Sequence, residues 1–430
     1  MTRIALLALA GLLAGYTAGL SQTPPPPPAD TCTAAPADSG LTLRDLLLAV
    51  RSRHPALEAA RARVRAAGGA RSRAGAIDNP TFGIQLENVT VPGRAPVPMD
   101  RETMYTAMLP LETIYQRGPR VRQAGAELAA ARADTGALAL QLSLEAAHAY
   151  YGTALAQLEM STALELAAWL DSVAAYNRVR AREGLAAEAD LLRSELERDR
   201  MTAEAAMRAA ELAGARAELM GFFPAGNSAL RVALPATPIG TVPDTASSGT
   251  PLPHLEAMRQ RLRAMDAAVS AERTAIIPQF GFMVGAKESA GRTSLVGGVS
   301  LPIPLLNHNG GGITRAKGER DAAAFELVRE ERIAIAVLDA AREASRRLSD
   351  QAMTLGPAYL ARAEEVRRIA LGAYREGAVP LVTVVDAARA WGDARITYYK
   401  LLFSQHEAVL AHLAARGIDP LEALGGGTTP

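Results

Sequence analysis

The sequence predicts a mainly α-helical chain with a β-barrel segment: long coiled-coil helices plus four strands, in a duplicated helix-strand-strand-helix-helix plan. Three observations predict it. Of the 430 residues 49% are hydrophobic but only 4% aromatic, which suits long helices packed closely through small side chains. Matched blocks recur along the chain: Arg122 and Gly125 return as Arg315 and Gly318, and Arg182-Glu183-Gly184 returns as Arg375-Glu376-Gly377, all at a spacing of 193 residues. Each copy also holds two stretches of alternating apolar and polar residues, the period of a strand with two unlike faces.

The N-terminus begins Met1-Thr2-Arg3, continues as an apolar run from Ile4 to Leu13 and ends in small residues through Ser21. That pattern is a secretory signal, expected over 1–21, and it is too short for a spanning helix. Residues 22–40 form a Pro-rich linker in which Pro24 to Pro28 make a stiff polyproline spacer. The lone cysteine, Cys32, has no second Cys or His nearby and reads as an inert thiol. Its neighbours Ala29-Asp30-Thr31 are not those of a lipid-anchored cysteine. Beyond the signal no run of about eighteen apolar residues occurs, leaving a soluble protein or a β-barrel. With 46 basic against 45 acidic residues, the chain lacks the concentrated basic face of a nucleic-acid binder.

The first repeat is expected over 41–225, an inter-repeat linker over 226–250, the second repeat over 251–417 and a disordered tail over 418–430. The opening helix is expected from Thr42, its N-cap, to Ala76, with a break at Asn79-Pro80; its counterpart runs from Pro253 to before Pro278. Pro80-Thr81-Phe82-Gly83 is echoed by Pro278-Gln279-Phe280-Gly281, and Leu109-Pro110-Leu111 by Ile303-Pro304-Leu305. Phe82, Ile84 and Leu86 share one strand face while Gln85 and Glu87 share the other; Phe280, Phe282 and Val284, then Leu295, Val299, Leu301 and Ile303, repeat the pattern. Strands of about nine to eleven residues have the length a tilted strand needs to cross a bilayer. A soluble hairpin resting on a helix is the alternative.

Long helices follow, roughly Arg120 to Arg182 and Arg315 to Arg375, each about 90 Å at 1.5 Å per residue. Leu155, Thr162, Trp169 and Tyr176 fall at every seventh position, with Leu166 and Val173 between, as in a coiled-coil seam, so Trp169 is a packing residue. After each Arg-Glu-Gly tip a shorter helix returns, ending near Met220 and Ala415.

Chemistry-bearing motifs are missing. His406-Glu407 is followed by His412, two residues beyond the four-residue spacing of a zinc-protease helix, and Gly310-Gly311-Gly312 lacks the Gly-Lys-Ser/Thr of a phosphate loop and reads as a strand-to-helix turn matched by Gly118. No enzyme, cofactor or resident metal site is expected.

Taken together, the signal, the duplicated plan, Asn79-Pro80 opening the first hairpin, Leu301-Pro302-Ile303-Pro304-Leu305 closing the second and the glycine tips at 184 and 377 resemble the TolC-type outer-membrane efflux proteins. The resemblance runs from about Leu41 to Gly417. Leu86-Glu87-Asn88 and Leu111-Glu112 followed by Arg117-Gly118-Pro119-Arg120 look like the heavy-metal, CzcC-like branch, from which Gln116 and Pro119 depart.

The resemblance implies a homotrimer whose chains each donate four strands to one twelve-stranded barrel, continued by a helical tunnel into the periplasm. It further implies a passive exit duct coupled through a periplasmic adaptor to an inner-membrane pump of the RND type. Four strands leave two unpaired edges, which hydrocarbon does not tolerate, so insertion independently requires several chains. Phe82, Ile84, Leu86, Phe280, Phe282 and Val284 are then expected to face lipid, with Gln85 and Glu87 facing the lumen. The tips Arg182-Glu183-Gly184-Leu185 and Arg375-Glu376-Gly377-Ala378 are expected to dock the adaptor. Asp190 and Asp386 resemble aspartates at the tunnel constriction of the family. Thr383 stands where a further aspartate is often found, Tyr374 matches a tip tyrosine that bonds toward Asp190, and Val379 replaces a locking arginine. The cargo stays open between metal ions, drugs and secreted polypeptides, and a soluble periplasmic coiled-coil scaffold is the competing function.

Overall fold

A computed structural model of the protein describes residues 40–89, 93, 100–110, 113–184, 187–222, 231–235, 237–239, 252–276, 280–300 and 307–421. The expected signal, the Pro-rich linker and Cys32 lie outside them. So do Leu111-Glu112, Leu185, Pro278-Gln279 and the Leu301 to Leu305 stretch.

Thr42 caps the first helix, α1 (Leu43–Arg53), accepting from the Asp45 amide at 3.2 Å. The expected single opening helix is in fact two. Proline disfavours a helical conformation in the residue before it, so His54 takes φ −66°, ψ 127° and α2 (Pro55–Gly75) starts afresh, with His54 Nδ1 accepting from the Ala56 amide at 3.3 Å.

After α2 come β1 (Thr81–Glu87), β2 (Glu102–Pro110), α3 (Thr113–Arg182) and α4 (Glu188–Met220). The second repeat supplies α5 (Pro253–Thr274), β3 (Gly281–Ser289), β4 (Arg292–Ser300), α6 (Gly310–Arg375) and α7 (Leu381–Ala415). Both long helices begin earlier than the sequence suggested. Pro119 lies inside α3, past the first turn, so its missing N–H forgoes one intrahelical hydrogen bond while the helix continues through it. Gly310-Gly311-Gly312, expected as a turn, instead form the first helical turn of α6, because Asn309 takes the left-handed reversal at φ 53°. Its side chain is fixed by donating to the Glu272 carbonyl at 2.9 Å and carboxylate at 2.7 Å. Within α6 the helix kinks at Gly356 (φ 56°, ψ 178°), the residue before Pro357.

Seventy residues make α3 about 105 Å long at 1.5 Å per residue, so two separate apolar clusters stabilise it. The larger joins α1 and the middle of α3 to the C-terminal part of α7 through Leu46, Leu47, Val50, Tyr150, Tyr151, Phe403 and Leu410. The second lies near the tips and packs Leu170 and Val173 against Tyr374, Leu381, Val384 and Val385. Along α3 the buried line is Ala154, Leu158, Thr162, Leu166, Leu170, Val173 and Asn177, while Leu155, Trp169 and Tyr176 of the expected seam are half-buried beside it. The period of burial is that of a plain helix, and the strict seven-residue count drifts off it. Trp169 flanks Arg367 of α6 at 5.7 Å from its ring, with Trp391 of α7 at 4.2 Å on the same guanidinium.

Between the repeats, residues 231–239 form a strap held by side chains that imitate a backbone partner. Gln157 accepts from the Val232 amide and donates to its carbonyl, both at 3.2 Å. Gln405 does the same to Ile239 at 3.1 and 2.8 Å. Tyr150 donates to the Ala233 carbonyl at 2.6 Å. Next to Gln405, His406 is buried with Nδ1 3.0 Å from the Tyr151 hydroxyl and Nε2 2.9 Å from the Thr237 carbonyl. Both contacts are met by a neutral ring that accepts at Nδ1 and donates at Nε2. At the other end, residues 418–421 depart from the expected disordered tail: Ile418 and Leu421 pack on the larger cluster and Asp419 pairs with Arg51.

Burial pushes the His406 pKa below its ordinary value, against the Thr237 carbonyl, which raises it. A depressed histidine binds its proton more readily in the unfolded chain, so its contribution to stability is present above about pH 6.5 and is lost as pH falls below that value. Thermal melting of the wild type between pH 7.5 and 5 is therefore expected to fall more steeply than that of His406→Asn. Parallel curves would remove His406 from the acid response.

Candidate functional site

Four antiparallel strands form one sheet in the order β1-β2-β3-β4. Ile84 pairs with Tyr105, Tyr105 with Ala286 and Ala286 with Leu295; one rung on, Phe82 pairs with Ala107, Ala107 with Val284 and Val284 with Gly297. Directly paired residues share a face. One face therefore carries Phe82, Ile84, Leu86, Tyr105, Leu109, Phe282, Val284, Leu295 and Val299, all exposed on the isolated chain. Phe280 stands one residue ahead of β3, outside the pairing, and is half-buried. The strands are seven to nine residues long, at or below the lower end of the expected range.

On the opposite face Gln85 donates to Glu87 at 2.9 Å. Lys287 pairs with Glu102 and lies 3.8 Å from Glu87, and Ser289 donates to Glu102 at 2.8 Å. Gln85 and Glu87 were legible from alternation alone. Their partners were not, because Lys287 arrives through a β2–β3 pairing between distant parts of the chain.

Each tip is a reversal at a glycine with positive φ, Gly184 at 71° and Gly377 at 76°. At the second, the Gly377 amide donates to the Tyr374 carbonyl at 3.0 Å and the Ala378 amide to the Ala373 carbonyl at 2.8 Å. This paired closure of the last turn needs the left-handed residue that glycine supplies. Arg182, Arg375 and Ala378 are exposed, and neither arginine forms an ion pair among the described residues.

The expected aperture residues fall into two groups. Tyr374 is buried and donates to Asn177 Oδ1 at 2.7 Å, not to Asp190 as the sequence suggested. Asn177 is a buried polar residue of α3 that lies closer across the helix pair, and no seven-residue pattern announces it. Burial raises the Tyr374 pKa, and the charge of Asp190 raises it further, so Asp190 acts on this tyrosine through its field. Asp190 sits half-buried in the first turn of α4. Asp386 is exposed one turn beyond Thr383 on α7, along a stripe that continues through Ala390, Asp393 and Thr397. Arg389 comes within 4.0 Å of Asp386 but donates to Glu197 of α4 at 2.6 Å. Asp393, missed in the sequence, is found by following this spacing.

Residues 252–415, from the start of α5 to the end of α7, match the family of outer membrane efflux proteins. The chain carries an outer membrane efflux protein domain. It is similar to the cobalt-zinc-cadmium resistance protein CzcC of Cupriavidus metallidurans, with 26% identity over 70% of this chain and 73% of that protein. A nickel and cobalt resistance protein of the same organism, CnrC, is 30% identical over 63% of this chain and 65% of its own length. Among solved structures, the CmeC outer membrane channel of Campylobacter jejuni superposes with a TM-score of 0.74 at 14% identity, covering 87% of this chain and 85% of that one. The outer membrane protein VceC of Vibrio cholerae gives 0.71 at 18% identity, covering 87% and 96%. The efflux domain thus sits on the TolC-type channel fold, a mostly helical chain with a small antiparallel sheet. Among the described residues no helix is long and apolar enough to cross a membrane.

Proposed function

We propose that the protein is the outer-membrane exit duct of a tripartite efflux system. The observation that carries this reading is the sheet: one face is apolar and open, the other carries Gln85, Glu87, Glu102 and Lys287, and among the described residues both outer strands, β1 and β4, lack a second partner. Hydrocarbon tolerates such a sheet only when its edges meet other strands. Three copies close a twelve-stranded barrel, and the paired long helices below it continue as a tunnel in the periplasm. Exposed apolar residues on the helices, Leu192, Leu196 and Met207 of α4 and Phe325, Ile335 and Val337 of α6, fit contact with neighbouring copies. The kinship with CzcC and CnrC favours divalent metal cations as cargo. The duct is passive and has no catalytic role; an inner-membrane pump of the RND type drives transport through a periplasmic adaptor docked at the tips.

Charge on a lipid face costs about 2–4 kcal/mol at mid-membrane. Ile84→Arg and Phe282→Arg are therefore expected to abolish assembled trimers in the outer membrane, whereas Gln85→Arg assembles. Equal outcomes at both faces, or wild-type protein released with the soluble periplasm, would make the chain a periplasmic scaffold instead. Charge reversal at Arg182 and Arg375 together leaves trimers intact and weakens cross-linking to the adaptor; unchanged cross-linking reduces the tips to turns. In a trimer Asp386 forms a ring of carboxylates that attracts cations. Asp386→Asn is expected to lower cation selectivity and divalent block of single channels in planar bilayers, and unaltered conductance properties would return Asp386 to the ordinary surface.

A further inference from the structure

Where the helices meet the sheet, the two repeats differ in charge. In the second repeat Arg315 pairs with Glu272 at 3.2 Å and with Glu319 at 3.4 Å, and Arg320 pairs with Asp321 at 2.9 Å. Among the described residues the first repeat makes no such pairs, since Asp78 has no ion-pair partner and Glu127 accepts from Gln123 instead. Arg122 matches Arg315 by the repeat spacing, but Ala126 stands where Glu319 would be. Among the described residues Arg71, Arg73, Arg117, Arg120 and Arg122 have no carboxylate partner, and Arg120 Nε is buried without any hydrogen bond. In a chain whose other arginines are so often paired, this is a local surplus of positive charge.

Two of these arginines, Arg71 and Arg117, frame a groove of about 450 Å³ between the end of α2 and the start of α3, lined also by Gly68, Ser72, Gly75 and Val121. Arg117 Nε donates to the Gly75 carbonyl at 2.7 Å, which fixes its guanidinium at the rim. Arg71 Nε lies 3.8 Å from where a side chain on Gly125 would begin, and Arg122 Nη1 lies 3.6 Å from the same point on Gly118. The first turn of α3 holds no acidic residue. Arg117, Arg120 and Arg122 follow in the second and third turns, so positive charge gathers just behind the positive end of the helix. The groove also ends close to the apolar sheet face. Only a few residues separate Gly75 from Thr81 and Pro110 from Thr113, and Phe82, Leu109 and Phe282 lie in the rungs nearest the helices.

We propose that this groove binds the phosphate of an anionic phospholipid, its acyl chains lying on the apolar face of the sheet and its headgroup held by Arg71 and Arg117. The proposal rests on the reading of the sheet as a membrane barrel. A phosphodiester fits the forked guanidinium donors, and arginine at the rim of a lipid face keeps its charge at the interface while its stem stays apolar. Each cation near an anionic surface adds to binding, and the first repeat presents two on one groove. The paired junction of the second repeat offers no equivalent, so each protomer carries one such site.

The test uses the full-length protein purified from outer membranes in a zwitterionic detergent, delipidated and then incubated with phosphatidylglycerol or phosphatidylcholine, retained lipid being counted by native mass spectrometry. Wild type is expected to retain phosphatidylglycerol and not phosphatidylcholine. Arg71→Gln/Arg117→Gln should retain at least about tenfold less, and the double Lys variant should recover most of it. Should the double Gln variant fail to assemble, Arg71→Gln alone is expected to lower retention about threefold. Equal retention by wild type and the Gln variants overturns the site, as does equal retention of the two lipids. Displacement of the lipid by millimolar inorganic phosphate, with the same rise in melting temperature, would also overturn it, in favour of a free-anion site. Cross-links placing the two arginines against a neighbour's carboxylates would assign the groove to the trimer interface and overturn it too. Failure of the barrel reading shows separately, as wild-type protein that never fractionates with the outer membrane.

Discussion

The structure depends on the unpaired edges of β1 and β4. A four-stranded sheet with an open apolar face has no stable resting place as a single chain in water or in lipid, since its edge N–H and C=O groups need partners. In the proposed duct, further copies of the same sheet would supply those partners without further folding. The duplication then has a mechanical logic: each repeat contributes one hairpin and the helices leaving its base, so closing that barrel would also set the helices in a ring.

Below the sheet, cohesion is local. A helix about 105 Å long cannot wrap a single core, and the two apolar clusters lie far apart along α3. Between and beyond them, ion pairs across helices hold register, such as Arg178 with Glu195 at 2.7 Å and Arg208 with the buried Glu159 at 3.0 Å. Gly392 of α7 faces Thr162 and Leu166 of α3, which lie 3.6 and 3.9 Å from where a side chain on it would begin. The strap over 231–235 and 237–239 ties α3 and α7 together through Gln157, Gln405 and His406.

The repeat, the sheet faces and the glycine reversals were all legible, because each is a property of spacing or of one residue type. Alternation placed Phe82, Ile84 and Leu86 on one face before any pairing was known. What could not be read was set by distant partners or by competition. Lys287 meets Glu102 only through strand register, and Asn177 takes the Tyr374 hydroxyl that a family resemblance assigned to Asp190. Pro55 ended a helix that amphipathic spacing alone would continue. Gly310 to Gly312, poor helix formers, join α6 because Asn309 has already made the turn for them.

In the proposed duct, the α7 stripe would attract cations without holding them. Asp386 and Asp393 are seven residues apart, about 10 Å along the helix, too far for one ion to touch both carboxylates of a single chain. Arg389, the nearest cation to Asp386, is drawn toward Glu197, leaving the Asp386 charge only loosely compensated. An exposed carboxylate attracts a passing cation by about 1 kcal/mol at contact in water, and screening confines that attraction to roughly 8–10 Å. Attraction that weak, repeated along the stripe, raises the local cation concentration while leaving each step reversible, as conduction requires. Tight chelation at any one point would turn the duct into a trap, so spacing the carboxylates apart serves transport better than clustering them.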